Sequence, residues 1–210
     1  MNLKNKLIVF EGKDSSGKSS VAQLLNKHLN DNGISSILTF QPGDTRWGTD
    51  ATIMRSLCKD KRHNLHPLSN FFAFLLDRTE VTDKVVNPHL DKGYTVISDR
   101  WHYSTVAYQL YGKELIDKYQ MPKDVLTWLN DLAIQSREPD VVVYFPEKLE
   151  VYREDDINDQ FENTKESFFG RVHNAYEEMA KDRRWIRVHP EDSEEETFEK
   201  VLEMLNGFPM

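Results

Sequence analysis

Short apolar runs alternate along this chain with longer stretches in which apolar residues return every three or four positions. Leu7-Ile8-Val9-Phe10 is the first run, after which Val21, Leu24, Leu25, His28 and Leu29 recur at helical spacing. Gly33 is a plausible helix stop, and Ile34 to Phe40 supplies a second strand that ends at Gln41-Pro42-Gly43. Pro67 can begin a helix. The apolar Phe71, Phe72, Phe74, Leu75 and Leu76 follow it, the helical stretch continues to Leu90, and Gly93 closes it. Thr95 to Ser98, Val141 to Phe145 and Trp185 to Val188 read as strands three, four and five, with helical patterns between them. Recurring strand–helix units predict a three-layer α/β/α fold with a mostly parallel five-stranded sheet. In such folds ligands bind at the carboxyl ends of the strands.

Composition narrows the picture. A chain of 210 residues with no Pro/Gly/Ser-rich linker is expected to be one domain. With a net charge of −8 and 30% charged residues, it lacks the broad basic footprint that duplex nucleic acid requires. The one cysteine, Cys58, cannot form an internal disulfide and has no zinc spacing around it, which fits a reducing cytoplasm. No apolar run reaches membrane-spanning length, and the start passes into the first strand without a signal-peptide core, so a soluble, unexported protein is expected. The acidic tract Glu191, Asp192, Glu194, Glu195 and Glu196 reads as a solvated helix start.

The chemistry begins directly after the first strand. Gly12, Gly17, Lys18 and Ser19 satisfy G-x-x-x-x-G-K-[ST], the phosphate loop of P-loop NTPase-type folds. The glycines let backbone N–H groups turn inward onto phosphate oxygens, Lys18 adds a charge, and Ser19 offers a hydroxyl to Mg²⁺. The candidate donor-binding set is Gly12, Lys13, Ser15, Ser16, Gly17, Lys18, Ser19 and Ser20, with ATP as co-substrate. Where the third strand stops, Asp99 can hold the metal's water shell and Arg100 can clamp a phosphate; an ordinary ion pair capping the strand is the alternative. If Ser104 opens a helix, Thr105, Tyr108 and Gln109 share one face. Phe74 and Arg78, four apart, set a ring beside a hydrogen-bonding fork, which suits a pyrimidine base, although core packing also explains Phe74.

Four ordered blocks carry a family resemblance: Phe-Glu-Gly-Lys-Asp-Ser-Ser-Gly-Lys-Ser at 10–19, Gln-Pro-Gly at 41–43, Phe-Ala-Phe-Leu-Leu-Asp-Arg at 72–78, and Asp-Arg-Trp-His-Tyr-Ser-Thr-Val-Ala-Tyr-Gln at 99–109. The chain resembles the thymidylate kinases, which transfer a phosphoryl group from ATP to dTMP. That resemblance implies that Asp14 bonds the sugar 3′-hydroxyl, Phe74 stacks on thymine, Arg78 meets its O4, and Thr105 and Gln109 border its edge. It further implies that Tyr108 packs under the deoxyribose and that Arg100 holds the acceptor phosphate, with Arg55 near it and Ser104 in the same segment. Asp99 would serve Mg²⁺ and the acceptor, and the protein would be a cytoplasmic homodimer.

The sequence departs from the family at the mobile arginine that bridges the phosphates. Ser15 fills its place in the loop, and the lid candidate, about 153–165, is acidic. Arg153 is the leading replacement, Lys13 and Lys165 are substitutes, and Arg171 is expected to anchor the following helix. Two other readings stay open at this point. A deoxynucleoside kinase also joins a phosphate loop to an Asp-Arg element, and an impaired relative could bind both nucleotides without turnover.

Overall fold

The structure is a computed structural model and describes residues 3–14, 16–47, 50–146 and 167–209. In chain order its elements are β1 (Leu7–Gly12), α1 (Lys18–Asp31), β2 (Ser36–Phe40), α2 (Asp50–Lys59) and α3 (Pro67–Val81). There follow α4 (Asn87–Asp91), β3 (Thr95–Asp99), α5 (His102–Thr105), α6 (Lys123–Ala133), β4 (Val141–Phe145), α7 (Phe168–Met179), β5 (Trp185–Arg187) and α8 (Glu194–Gly207). The sheet is five-stranded and parallel throughout, in the order β2-β3-β1-β4-β5. From β1 the chain runs outward to β2, returns to β3, and then crosses to β4 on the far side of β1. A crevice belongs at the carboxyl ends above that reversal.

Alternation along the central strands builds both faces of the core. Leu7, Val9, Val96 and Val142 pack with Val85, Trp101 and Tyr176 on one face; Ile8, Phe10, Ile97 and Val143 pack with Val21, Leu25 and Leu29 on the other. Complete burial of such side chains contributes on the order of 1.5–3 kcal/mol each, which makes this sheet a rigid base. Register then fixes the site: Phe10 lies opposite Asp99 on one side and Val143 on the other, and Gly12 lies opposite Phe145. The phosphate loop, Asp99 and Arg100 therefore emerge together.

Two expected boundaries shift for local reasons. β2 begins at Ser36 because Ile34 is drawn into the helix end, its N–H donating to the Leu29 carbonyl at 2.9 Å, while the Asn30 side chain holds Ser36. The expected helix from Pro67 to Leu90 is not uniform: Thr82–Val86 forms a wider π-type turn ahead of Pro88, whose ring offers no N–H to the carbonyl four residues back. The acidic tract starts α8 through a capping box, with Ser193 Oγ accepting from the Glu196 N–H at 3.1 Å and Glu196 returning the bond. Among the described residues no helix is long and apolar enough to cross a membrane.

Candidate active site

The donor half is built from the end of β1 upward. Gly12 has φ +140°, and a Cβ there would collide with the Phe145 carbonyl oxygen; Gly17, at φ +83°, turns the chain into α1. Lys18 opens α1 and is buried, its Nζ donating to the Lys13 carbonyl at 3.2 Å and lying 3.9 Å from Asp99 Oδ1. Burial, and then the like charge of Arg100, lower the Lys18 pKa against the pull of Asp99, Asp14 and Glu11. Ser19 Oγ hydrogen-bonds to Asp99 Oδ2, while the buried Asp99 Oδ1 accepts no hydrogen bond. An open cleft beside the loop is lined by Lys13, Ser16, Phe169, Asp192 and Ser193. The Lys13 ammonium lies 5.0 Å from the Phe169 ring centre. Ser20 follows on the first turn of α1, half-buried, and lines neither this cleft nor the acceptor pocket.

The acceptor half is assembled around Arg100. Its backbone is left-handed (φ +75°), which aims the buried guanidinium back across the strand ends. Nη2 donates to Asp14 Oδ1 at 2.7 Å, Nη1 donates to Ser104 Oγ at 2.9 Å and to the Tyr176 hydroxyl at 3.4 Å, and the group lies 5.2 Å from the Tyr108 ring centre. Burial works to raise the Asp14 pKa, but the Arg100 charge and hydrogen bond, helped by Lys59 and Lys18, hold it below the ordinary carboxylate value. Behind Arg100 lies Glu11, fully buried, with Oε2 accepting from Ser104 Oγ at 2.6 Å and Tyr176 OH at 2.8 Å, and Oε1 accepting from the Trp101 N–H at 2.8 Å. Burial raises the Glu11 pKa, and Arg100 and these donors oppose the shift.

Phe74, Arg78, Tyr108 and Gln109 line a pocket whose wall also includes Asp14, Arg100 and Ser104. Arg78, a residue of the pocket wall, is 1% exposed, and its Nε and Nη1 have no hydrogen-bond partner within the protein. Burial brings its pKa down to about 10 against the pull of Asp77, which leaves it cationic at neutral pH. The Gln109 Oε1 and Tyr108 hydroxyl also lack partners. Thr105 is absent from the pocket wall: it lies buried behind it and accepts from Arg78 Nη2 at 3.4 Å. The helix opens at His102 rather than Ser104 and widens to a π-type turn over Val106–Gly112, so the spacing of Thr105, Tyr108 and Gln109 is not that of a regular helix. Arg55 donates to the Pro42 carbonyl at 2.7 Å and borders the cleft that contains Lys18, Ser19 and Asp99.

Ser15, Arg153, Lys165 and the lid at about 153–165 lie outside the described residues. Arg171 ties α7 to the end of the π-type turn, donating to the Gly112 carbonyl at 2.8 Å and pairing with Glu114 at 3.1 Å. Sequence reading passed over Glu11, Gln41, Lys59, Asp77 and Tyr176. Glu11 was visible as the one charge closing an apolar strand, and Lys59 as the residue one helical turn beyond Arg55. Gln41, Asp77 and Tyr176 acquire their roles only through contacts distant in sequence.

Comparison with known proteins follows the same lines. The family model described as "Thymidylate kinase" matches residues 10–201. The chain is 29% identical over 212 residues to the thymidylate kinase of Halothermothrix orenii, covering 98% of each sequence. It is 33% identical over 187 residues to that of Legionella pneumophila, covering 86% of this chain and 84% of that one. The solved structure of thymidylate kinase from Ehrlichia chaffeensis superposes with a TM-score of 0.75 at 26% identity, covering 96% of this chain and 98% of that one.

Proposed function

The chain belongs to the thymidylate kinase family and phosphorylates dTMP to dTDP with ATP as donor, and from that premise we propose how its residues divide the work. One observation carries the division: Asp14 and Arg100 line both the pocket of Phe74 and Arg78 and the cleft holding Lys18 and Ser19, so one wall serves both substrates. Phosphoryl transfer needs in-line positioning and charge stabilisation more than covalent chemistry. The backbone of residues 12–19 with Lys18 cradles the donor phosphates. Phe74 stacks on the acceptor base, the unpartnered edge of Arg78 bonds its O4, Gln109 borders it, and Thr105 steadies Arg78 from behind. Tyr108 lies under the sugar, Asp14 bonds its 3′-hydroxyl, and Arg100 aims the acceptor phosphate oxygen at the γ-phosphorus, with Arg55 nearby. An ionised phosphate needs no strong general base.

The pair of Ser19 and Asp99, whose Oδ1 accepts no hydrogen bond and has only the Lys18 charge 3.9 Å away, fits Mg²⁺, which favours oxygen ligands shared with substrate phosphates. The described residues contain no cluster of three or more His, Cys, Asp or Glu that could hold a metal by themselves. Bound there, Mg²⁺ would neutralise charge on the transferring phosphates. We also assign a homodimer, supported by Phe72 and Leu76 on α3 and Val125, Trp128 and Leu132 on α6, all exposed on helices that pack together. Sedimentation of Trp128→Glu against the parent chain tests that assignment. A cytoplasmic location matches the lone, reduced Cys58.

A coupled ADP-release assay across nucleoside monophosphates tests the reaction. Mg²⁺-ATP turnover stimulated by dTMP is expected; turnover with thymidine but not dTMP would replace this reading by a nucleoside kinase.

A further inference from the structure

Beyond Asp14 and Arg100, two more residues line both the base pocket and the cleft of the phosphate loop: Gln41 and Lys59. A residue bordering both spaces stands where they meet, which is where the acceptor's phosphate must lie for its oxygen to face the donor. Gln41 is 4% exposed, and neither its amide nitrogen nor its amide oxygen has a hydrogen-bond partner. Such a buried polar group calls for a partner from outside the chain. Lys59 ends α2 one turn beyond Arg55, on the same face of the helix.

The cations at this junction are not equally available. Arg100 is engaged by Asp14 at 2.7 Å, Arg55 by the Pro42 carbonyl at 2.7 Å, and Lys18 by the loop itself at 3.2 Å. Lys59 makes no ion pair or hydrogen bond within the described residues, yet it stands close enough to act on Asp14. A phosphomonoester carries between one and two negative charges near neutral pH, more than one guanidinium already shared with a carboxylate can balance. We propose that Lys59 binds the phosphate of the acceptor nucleotide, with the Gln41 amide donating beside it, so that the α2 face supplies charge at the junction in a chain whose phosphate loop has Ser15 where its relatives can place an arginine.

This proposal rests on the dTMP-kinase reading above, and the test separates the two. Calorimetry would compare dTMP with thymidine, which lacks only the phosphate, on the parent chain, Lys59→Met and Lys59→Arg. Lys59→Met should weaken dTMP about tenfold while leaving thymidine within about twofold, and Lys59→Arg should keep most of the dTMP affinity. Unchanged dTMP binding by Lys59→Met, or equal loss of both ligands, overturns the role of Lys59 and leaves the enzyme assignment standing. Failure of the parent chain to bind dTMP overturns both.

Discussion

The two halves of this site share Asp14 and Arg100 yet are built in opposite ways. The donor half is centred on one continuous stretch of sequence, the phosphate loop, whose geometry comes from two positive-φ glycines and a helix start. The acceptor half draws on the β1 loop, the turn after β2, α2, α3 and the segment after β3. It is held by charges that burial makes costly: Glu11, Asp77, Arg78 and Arg100 are each less than 10% exposed. A local motif needs few supports, whereas a pocket gathered from distant elements needs buried hydrogen bonds to keep its parts in register.

The sharpest way to break the comparison is at Lys18. Lys18→Ala should reduce kcat about a hundred- to a thousandfold while leaving dTMP binding near its parent value, because the side chain serves the donor phosphates. Equal loss of dTMP affinity, measured by calorimetry without ATP, would mean that the halves are not separable.

The same contrast explains what could be read from the sequence. Strand and helix order were legible because apolar periodicity survives burial on both faces of the sheet, and the phosphate loop because its residues are adjacent. Phe74 and Arg78 were legible as an i, i+4 pair. Thr105 is harder to read, because a π-type turn over Val106–Gly112 alters the regular helical spacing that relates it to Tyr108 and Gln109. Gln41, Asp77 and Tyr176 are silent locally: Asp77 matters because its Oδ1 accepts from the Gly43 N–H at 2.7 Å, a contact no window of sequence reveals.

Asp77 gives the next test, aimed at the cost of the acceptor side. Burial raises its pKa to about 6, against the opposing pull of Arg78, the Gly43 N–H and Arg55, with Asp44 adding to the rise. The native state therefore binds the proton more tightly than the unfolded chain, and the stability this provides is present below about pH 4 and lost as pH rises through about 6. Asp77→Asn keeps an oxygen for Gly43 without the charge. Relative to the parent chain it should gain on the order of 2–3 kcal/mol between pH 4 and pH 7.5. Urea unfolding at both values reads this directly; a pH-independent difference would show that Asp77 titrates normally.

Arg78→Met probes recognition rather than stability. Losing a charge-assisted bond to the base should raise KM for dTMP by about 2 kcal/mol, roughly thirtyfold, with KM for ATP unchanged. A parallel rise in both KM values would assign Arg78 to packing against Trp101, whose ring centre lies 5.2 Å away.

The smallest effect is expected at Tyr176, and it decides whether the buried network behind Arg100 is more than packing. The ring stacks on Tyr144 at a centroid distance of 5.5 Å, so Tyr176→Phe keeps the apolar contact and deletes only the hydroxyl. Glu11 then loses one of two donors to Oε2 but retains Ser104 Oγ, and Oε1 retains the Trp101 N–H. Arg100 keeps its bonds to Ser104 and Asp14. A net hydrogen bond of this kind contributes about 1 kcal/mol. Because Ser104 Oγ would also lose its 2.9 Å bond to the Tyr176 hydroxyl, and Arg100 its 3.4 Å one, that loss should appear in the acceptor reaction, as roughly a fivefold fall in kcat/KM for dTMP with KM for ATP constant. Tyr144→Phe, which removes a hydroxyl bonded instead to Glu177 at 3.0 Å, is the matched control and should leave dTMP kinetics alone. If both variants lower thermal stability equally and neither changes dTMP kinetics, Arg100 is held by Asp14 and the backbone of its own segment, and the acceptor half needs less buried support than its architecture implies.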